Sequence, residues 1–374
     1  MAIRIVSTLL ALSLTGMAEV HSHSESEHDN HSAENGVRFS PHLSTALALG
    51  GSTGDADFLA ESGHHDPHYD GFNLQAFEVG GALDVGDDFT IFAIYNLQWD
   101  REEAWDGHWE EAYMDFRILP SLTIRSGMQL PAFGRENYLH VHARDFVQAS
   151  LATTRFLGED GLIMNCVSFT NTWGSENQQA LTLGLGSVYA HEHSHDEEEH
   201  DDHPLHAEEA LLKGNILQAR WQSEFRPWQV GVSGIVGENH WERTTFIVGA
   251  DIERRLRIAG KAATLAAEVS YRNVDAINED DDQKVSFDET ALSLSLAYDF
   301  AEDWQWNNRI EWLSGEEMAG LDERTRFSTN VSHLYCWNHT HNTLRLQYDA
   351  DFLPGGEVEN SVWFQIVVEW GDGH

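Results

Sequence analysis

From residue 37 to residue 370 the chain repeats one pattern: short runs in which apolar and polar side chains alternate with a period of two. In the run 344–350, Leu344, Leu346, Tyr348 and Ala350 point one way and Arg345, Gln347 and Asp349 the other, because successive Cβ atoms of a strand lie on opposite faces. Val37, Phe39, Leu43 and Leu47 stand against Arg38, Ser40, His42 and Ser44 in the same way, and Ile91, Ala93, Tyr95, Leu97 and Trp99 against Asn96, Gln98 and Asp100. The apolar face suits lipid and the other face water, and that second face is too charged for the interior of a soluble sandwich.

The alternation predicts strands over 37–49, 72–85, 89–99, 108–118, 122–130, 161–171, 178–190, 211–225, 228–238, 243–256, 261–274, 285–300, 303–313, 324–336, 340–350 and 361–370. Every even connection is brief, as in Gly86-Asp87-Asp88, Pro120-Ser121 and Arg226-Pro227, whereas the odd ones are long. An even strand number with the short turns and both termini on one side is the bacterial arrangement of periplasmic turns and extracellular loops. The expected fold class is therefore all-β, a transmembrane antiparallel β-barrel of about 16 strands in the outer-membrane lipid, with a third extracellular loop folded inward.

No apolar run reaches the ~18 residues that a spanning helix needs. The 13 tryptophans include Trp99, Trp221, Trp228, Trp304, Trp312 and Trp370 near strand ends, where interfacial girdles form. Residues 1–18 read as a secretory signal: Arg4 precedes an apolar stretch over 5–14, and Gly16-Met17-Ala18 predicts cleavage after Ala18. A His-rich periplasmic arm over 19–36 follows, with His21, His23, His28 and His31, and then the barrel over 37–374. Cys166 and Cys336 fall on the sixth and fourteenth strands, too far apart around a ring to bridge, so free thiols are expected.

With 22 basic and 62 acidic residues the net charge is −40, which disfavours nucleic acid and favours cations. The acidic runs 278–282, Glu316-Glu317 and Asp322-Glu323 lie in predicted loops and read as solvated faces. Histidine changes the picture. Two clusters outside the predicted strands, His64, His65 and His68 in the first loop and His191, His193, His195, His200, His203 and His206 in the fourth, are the candidate metal ligands. Neutral imidazole interleaved with carboxylate suits Zn²⁺ or another divalent transition metal, without choosing among them. Mobile tracts of this kind hold metal exchangeably, because ordering them offsets part of the binding energy; the bland alternative is a hydrophilic loop with incidental metal affinity. His191-Glu192-His193-Ser194-His195 matches H-E-x-x-H, but that chemistry needs a stable helix, and an alternating His and acid tract produces the match by chance. No enzymatic role and no tightly bound cofactor are expected.

The third odd connection, 131–160, is apolar and basic, unlike the other long loops. A loop of this length is functional or disordered, and this one is too apolar for disorder. Folded into a lumen wide enough for water it forms a constriction, with Arg135, Glu136, His140, His142, Arg144 and Arg155 as its candidate residues. Its arginines either set selectivity or pair with lumen carboxylates and fasten the loop.

The run from Gly127 to Leu162, G-M-Q-L-P-A-F-G-R-E-N-Y-L-H-V-H followed by F-V and R-F-L-G-E-D-G-L, resembles a family of zinc-regulated outer-membrane proteins. The matching positions are Phe133, Gly134, Arg135, Asn137, His140, His142, Phe146, Arg155, Phe156, Gly158, Gly161 and Leu162, about a tenth of the chain. The chain departs from the pattern at Met128 and Leu130, where basic residues are expected, and at Asp145, where proline is; these departures weaken an anion-selective constriction. The resemblance implies His-rich loops and association with zinc uptake. A receptor worked through an N-terminal plug needs a barrel of about 22 strands, and 19–36 is too short for a plug, so the expected relatives in fold are the sixteen-stranded porins, the phosphate-selective ones included. The expected function is a porin-like channel that captures and admits divalent metal, zinc foremost, through His and acid-rich loops. A general or anion-preferring porin and a non-conducting metal-binding barrel are the alternatives, and a homotrimer is an assembly open to all three.

Overall fold

A computed structural model describes residues 36–54, 63–67, 70–99, 105–175, 177–189, 205, 210–278 and 283–371. Sixteen strands close into one antiparallel barrel in which each pairs with its sequence neighbours and β1 (Val37–Ser52) pairs with β16 (Val358–Gly371). Beyond these two, the elements that matter below are β2 (Gly71–Val85), β3 (Phe89–Trp99), β4 (Trp105–Leu119), β5 (Leu122–Gln129), β6 (Met164–Trp173), β9 (Trp228–Asn239), β10 (Thr244–Ile258), β11 (Lys261–Ile277), β12 (Lys284–Ala301), β13 (Trp304–Leu313), β14 (Arg324–Trp337) and β15 (Thr340–Phe352). The expected sixteen-stranded barrel is what forms, and most bounds agree to within a few residues. The difference that matters for the lumen is β4, which begins at Trp105 and so takes in Asp106.

The period of two separates lipid from lumen. On β15 Leu346 is 58% exposed while the next residue, Gln347, is 0% exposed. Large apolar side chains such as Phe39, Ile91, Phe169, Leu185, Val232 and Leu292 stand exposed around the outside, forming the apolar band such a barrel presents to lipid. Among the described residues no helix is long and apolar enough to cross a membrane; the strands make the crossing. Trp99, Trp304 and Trp370 are exposed at strand ends, and Trp221, Trp228 and Trp312 are half-buried. Cys166 is buried, Cys336 is exposed, and neither is bridged.

The loop between β5 and β6 turns into the barrel, as expected. Gly134, at φ +58°, lets it turn against Glu268 where any Cβ would collide with that carboxylate. A 3₁₀ turn over Val141–Ala143 and a short helix α1 (Leu151–Leu157), capped by Ser150, follow. Phe133, Leu151, Phe156, Leu157 and Leu162 of this loop pack with Met164, Ile216, Ile235, Ile247 and Leu313 of the inner wall, so loop and wall share one apolar core.

Candidate metal-binding row in the barrel lumen

The third loop is tied to the wall through buried and half-buried hydrogen bonds. Arg309 Nη2 donates to the carbonyls of Gln148 and Ala149 at 3.1 and 3.2 Å, Arg345 Nη2 to that of Arg144 at 2.7 Å, and Arg272 Nη1 to that of Arg155 at 2.8 Å. The loop's own charges are paired as well. Arg135 Nη2 meets Glu253 Oε2 at 2.9 Å, Glu136 meets Arg309 at 3.3 Å, Arg144 lies 3.7 Å from Asp66, and Arg155 lies 3.6 Å from Glu289. On the wall itself Arg220 pairs with Asp251, Arg272 with Glu289, Arg309 with Glu311, and Arg324 and Arg326 with Asp351. Charge-assisted pairs of this kind fix geometry, and the buried arginines of β8 (Leu212–Phe225) through β14 face carboxylates.

The opposite wall, β1 to β4, gathers histidine and acid, with Arg144 of the third loop beside Asp66 at its edge. His64 Nε2 and His108 Nδ1 both approach Asp106 Oδ2, at 3.3 and 3.4 Å. His65 Nε2 lies 3.1 Å from Glu110 Oε1 and 3.9 Å from Asp160 Oδ1. His140 Nδ1 lies 2.6 Å from Glu110 Oε2 and its Nε2 3.1 Å from Glu111 Oε2. His142 Nδ1 meets Glu78 Oε2 at 2.6 Å, and His42 Nε2 reaches the same oxygen at 3.5 Å. Four sets of three donors each bring their ligand atoms within 4.8 Å of one another: His64, Asp106 and His108; His65, His108 and Asp160; Glu78, Glu110 and His140; and His42, Glu78 and His142. Successive sets share residues or lie side by side, so they form one row. From Asp106 near the extracellular end of β4 to His42 in the lower third of β1, the row descends about four residues of strand rise, roughly 13 Å, across three interstrand steps.

Local irregularity builds the row. The pairing of β3 with β4 slips between Ile94 and Tyr95, so Glu110 has no partner across the ladder and both Glu110 and Glu111 turn inward; a β-bulge re-aims a side chain in this way. A second slip between β1 and β2 leaves Gln75 extra, and its side-chain amide holds the first and third loops by donating to His65 O at 2.8 Å and Val147 O at 3.0 Å. The 3₁₀ turn is seated by Val141, which packs with Ala46, Ala76 and Val367, and so His140 and His142 on either side of it are aimed at the wall.

Outside the strands, His65, His140 and His142 are all held above the ordinary histidine value. Burial alone would lower each, and is outweighed by Glu110 for His65, by Glu110 and Glu111 for His140, and by Glu78 for His142.

Of the residues singled out by sequence, His64, His65, His140 and His142 fall in this row, Arg135, Glu136 and Arg155 fasten the loop elsewhere, and Arg144 pairs with Asp66 next to His65. His68 and the tract from His191 through His193, His195, His200 and His203 to His206 lie outside the described residues, as do the signal segment and the N-terminal arm. His42, Glu78, Asp106, His108, Glu110 and Asp160 are additions of the structure. Parity along the strands put His42 with the inward set, but only the register shows what it faces.

No family model matches the sequence, and no curated protein does. Solved structures match the fold over nearly the whole chain. An anion-selective porin from Comamonas acidovorans superposes with a TM-score of 0.58 at 9% identity, over 91% of this chain and 100% of that one. The outer-membrane channel DcaP of Acinetobacter baumannii gives 0.57 at 10%, over 94% and 100%, and a trimer form of OmpT of Vibrio cholerae gives 0.50 at 11%, over 90% and 99%. At such identities the likeness shows the fold: a closed sixteen-stranded antiparallel β-barrel of the architecture these porins and channels share.

Proposed function

We propose that this barrel is a channel for divalent cations, with zinc the ion its donors suit best. The supporting observation is the row of buried histidines and carboxylates down the wall of β1 to β4, which offers imidazole nitrogen and carboxylate oxygen together at each level. Oxygen alone would suit calcium or magnesium, and added imidazole moves the preference to zinc and its neighbours. Metal collected at the mouth by His64, His65 and His68 and by the 191–206 tract passes the third loop along His140 and His142. Several weak sites in series suit conduction, since one tight site would block the path. The resemblance of 127–162 to zinc-regulated outer-membrane proteins supports the same cargo. An anion-preferring porin is the weaker reading, because Arg135, Arg144 and Arg155 each face a carboxylate. A homotrimer accords with the trimer form of the Vibrio cholerae neighbour.

The test is solute influx into proteoliposomes carrying the refolded barrel. Zinc reported by a trapped indicator enters faster than phosphate under matched gradients if the reading holds; phosphate entering faster, with zinc no quicker than in empty vesicles, overturns it.

A further inference from the structure

The carboxylate of Glu78 belongs to two donor sets at once. One joins it to His42 and His142, the other to Glu110 and His140, and within each set the donor atoms lie inside 4.8 Å. Resting on the divalent-cation reading above, we propose that Glu78 is a bridging ligand between two adjacent metal stations, an inner one with His42 and His142 and an outer one with Glu110 and His140, and that the cargo ion passes from one to the other on this shared carboxylate.

The two oxygens of Glu78 are unequally used. Oε2 receives His142 and His42 and accepts a hydrogen bond from Ser44 Oγ. Oε1 has no hydrogen-bond partner although Glu78 is 0% exposed. Buried polar atoms are nearly always satisfied, and an oxygen left open between two imidazole and acid sets is the atom a second cation would take.

Spacing fits as well. Zinc bonds of about 2.0–2.1 Å arranged tetrahedrally set neighbouring donors roughly 3.3 Å apart. His42 Nε2 and Glu78 Oε2 are 3.5 Å apart, and the closer contacts, 2.6 Å for His142 with Glu78 and for His140 with Glu110, are proton-bridged distances that open slightly when metal replaces the proton.

The supporting frame is rigid. His42, Glu78 and Glu110 come from β1, β2 and β4, while His140 and His142 flank the buried Val141, their rings 5.7 Å apart and nearly parallel at 15°. Each station therefore takes ligands from both wall and loop. Two cations sharing one carboxylate sit roughly 3.5–4 Å apart, so with both stations filled each ion weakens the hold on the other, as multi-ion conduction requires. The outer set has two carboxylates and one imidazole, the inner set the reverse, so an inbound ion meets a harder site before a more selective one.

The test is zinc stoichiometry of the refolded full-length chain in detergent at buffered free zinc, with barrel closure checked by heat-dependent electrophoretic mobility. Glu78→Gln is near-isosteric and is expected to lose about two bound equivalents, whereas His42→Ala and His140→Ala each lose about one and their double variant about two. A Glu78→Gln loss no larger than that of His42→Ala overturns the bridge. Manganese in place of zinc gives a second readout: spin coupling between neighbouring ions, present in the wild type and absent in Glu78→Gln, supports the bridge, and its absence in the wild type overturns it. Cation-selective current without the two-equivalent loss would sink the bridge alone. The loss without cation-selective current would sink the channel reading alone.

Discussion

His140 of the third loop and Glu110 of β4 meet at 2.6 Å, and Glu110 can face inward beside Glu111 because the ladder between β3 and β4 slips at that point. One misregistered residue thus gives the loop two carboxylates to close on. The position of the loop across the lumen and the composition of the histidine row have the same origin.

This contact makes the loop's attachment pH-dependent in a defined sense. His140 and His142 have folded values above the ordinary one, so their contribution to holding the loop is complete below about pH 6.5 and is lost as pH rises through the folded values. Amide exchange over 139–143, corrected for its intrinsic pH dependence, should therefore stay level below about pH 6.5 and quicken as pH rises above it. Quickening on mild acidification instead would contradict the assignment.

Arg272 fastens the far side of the loop. Its Nε donates to Glu289 at 2.8 Å, its Nη1 to the Arg155 carbonyl at 2.8 Å, and its guanidinium lies 4.9 Å from the Phe156 ring. Arg272→Ala takes away the closer partner of the buried Glu289 and leaves it only Arg155, 3.6 Å away, at a cost of up to about 3 kcal/mol. The denaturation midpoint should fall accordingly and recover only in part in Arg272→Met/Glu289→Gln, where Arg155 loses its carboxylate.

On the outer face, Leu346→Arg places a cation in the apolar band and should destabilise the barrel by roughly 2–4 kcal/mol in lipid. Equilibrium unfolding in vesicles reads this directly. A loss below about 1 kcal/mol would place Leu346 nearer the interface than the middle of the band.

Cys336 is exposed near the short β14–β15 turn and Cys166 is buried. A charged maleimide should label Cys336 only when it has access to the short-turn side of the membrane, and should leave Cys166 unmodified until the barrel is unfolded. Labelling of Cys336 from the long-loop side would reverse the orientation.

The barrel was legible because lipid and lumen impose a strict period of two on residues such as Leu344 to Ala350, and because long and short connections alternate. His64 and His65 could be picked out by clustering alone, and His140 and His142 by their place in the one apolar long loop. Their partners could not. Glu78 looks like any inward acid of a strand, Asp106 lies outside the predicted fourth strand, and the inward turn of both Glu110 and Glu111 breaks the very alternation by which strands are read. His42 has its parity right but meets His142 only through a loop that crosses the lumen, a relation that no local pattern encodes. The arginines of the third loop were left between two roles, and only the positions of Glu253, Asp66 and Glu289 show how each is paired.

The most direct test of the central claim is the reversal potential of the refolded barrel in a planar bilayer under a salt gradient, followed by titration with zinc and then a chelator. The account predicts a cation-selective potential and a current that micromolar zinc reduces and the chelator restores, as the ion lodges among the histidines of the row. An anion-selective potential unaffected by zinc would contradict it.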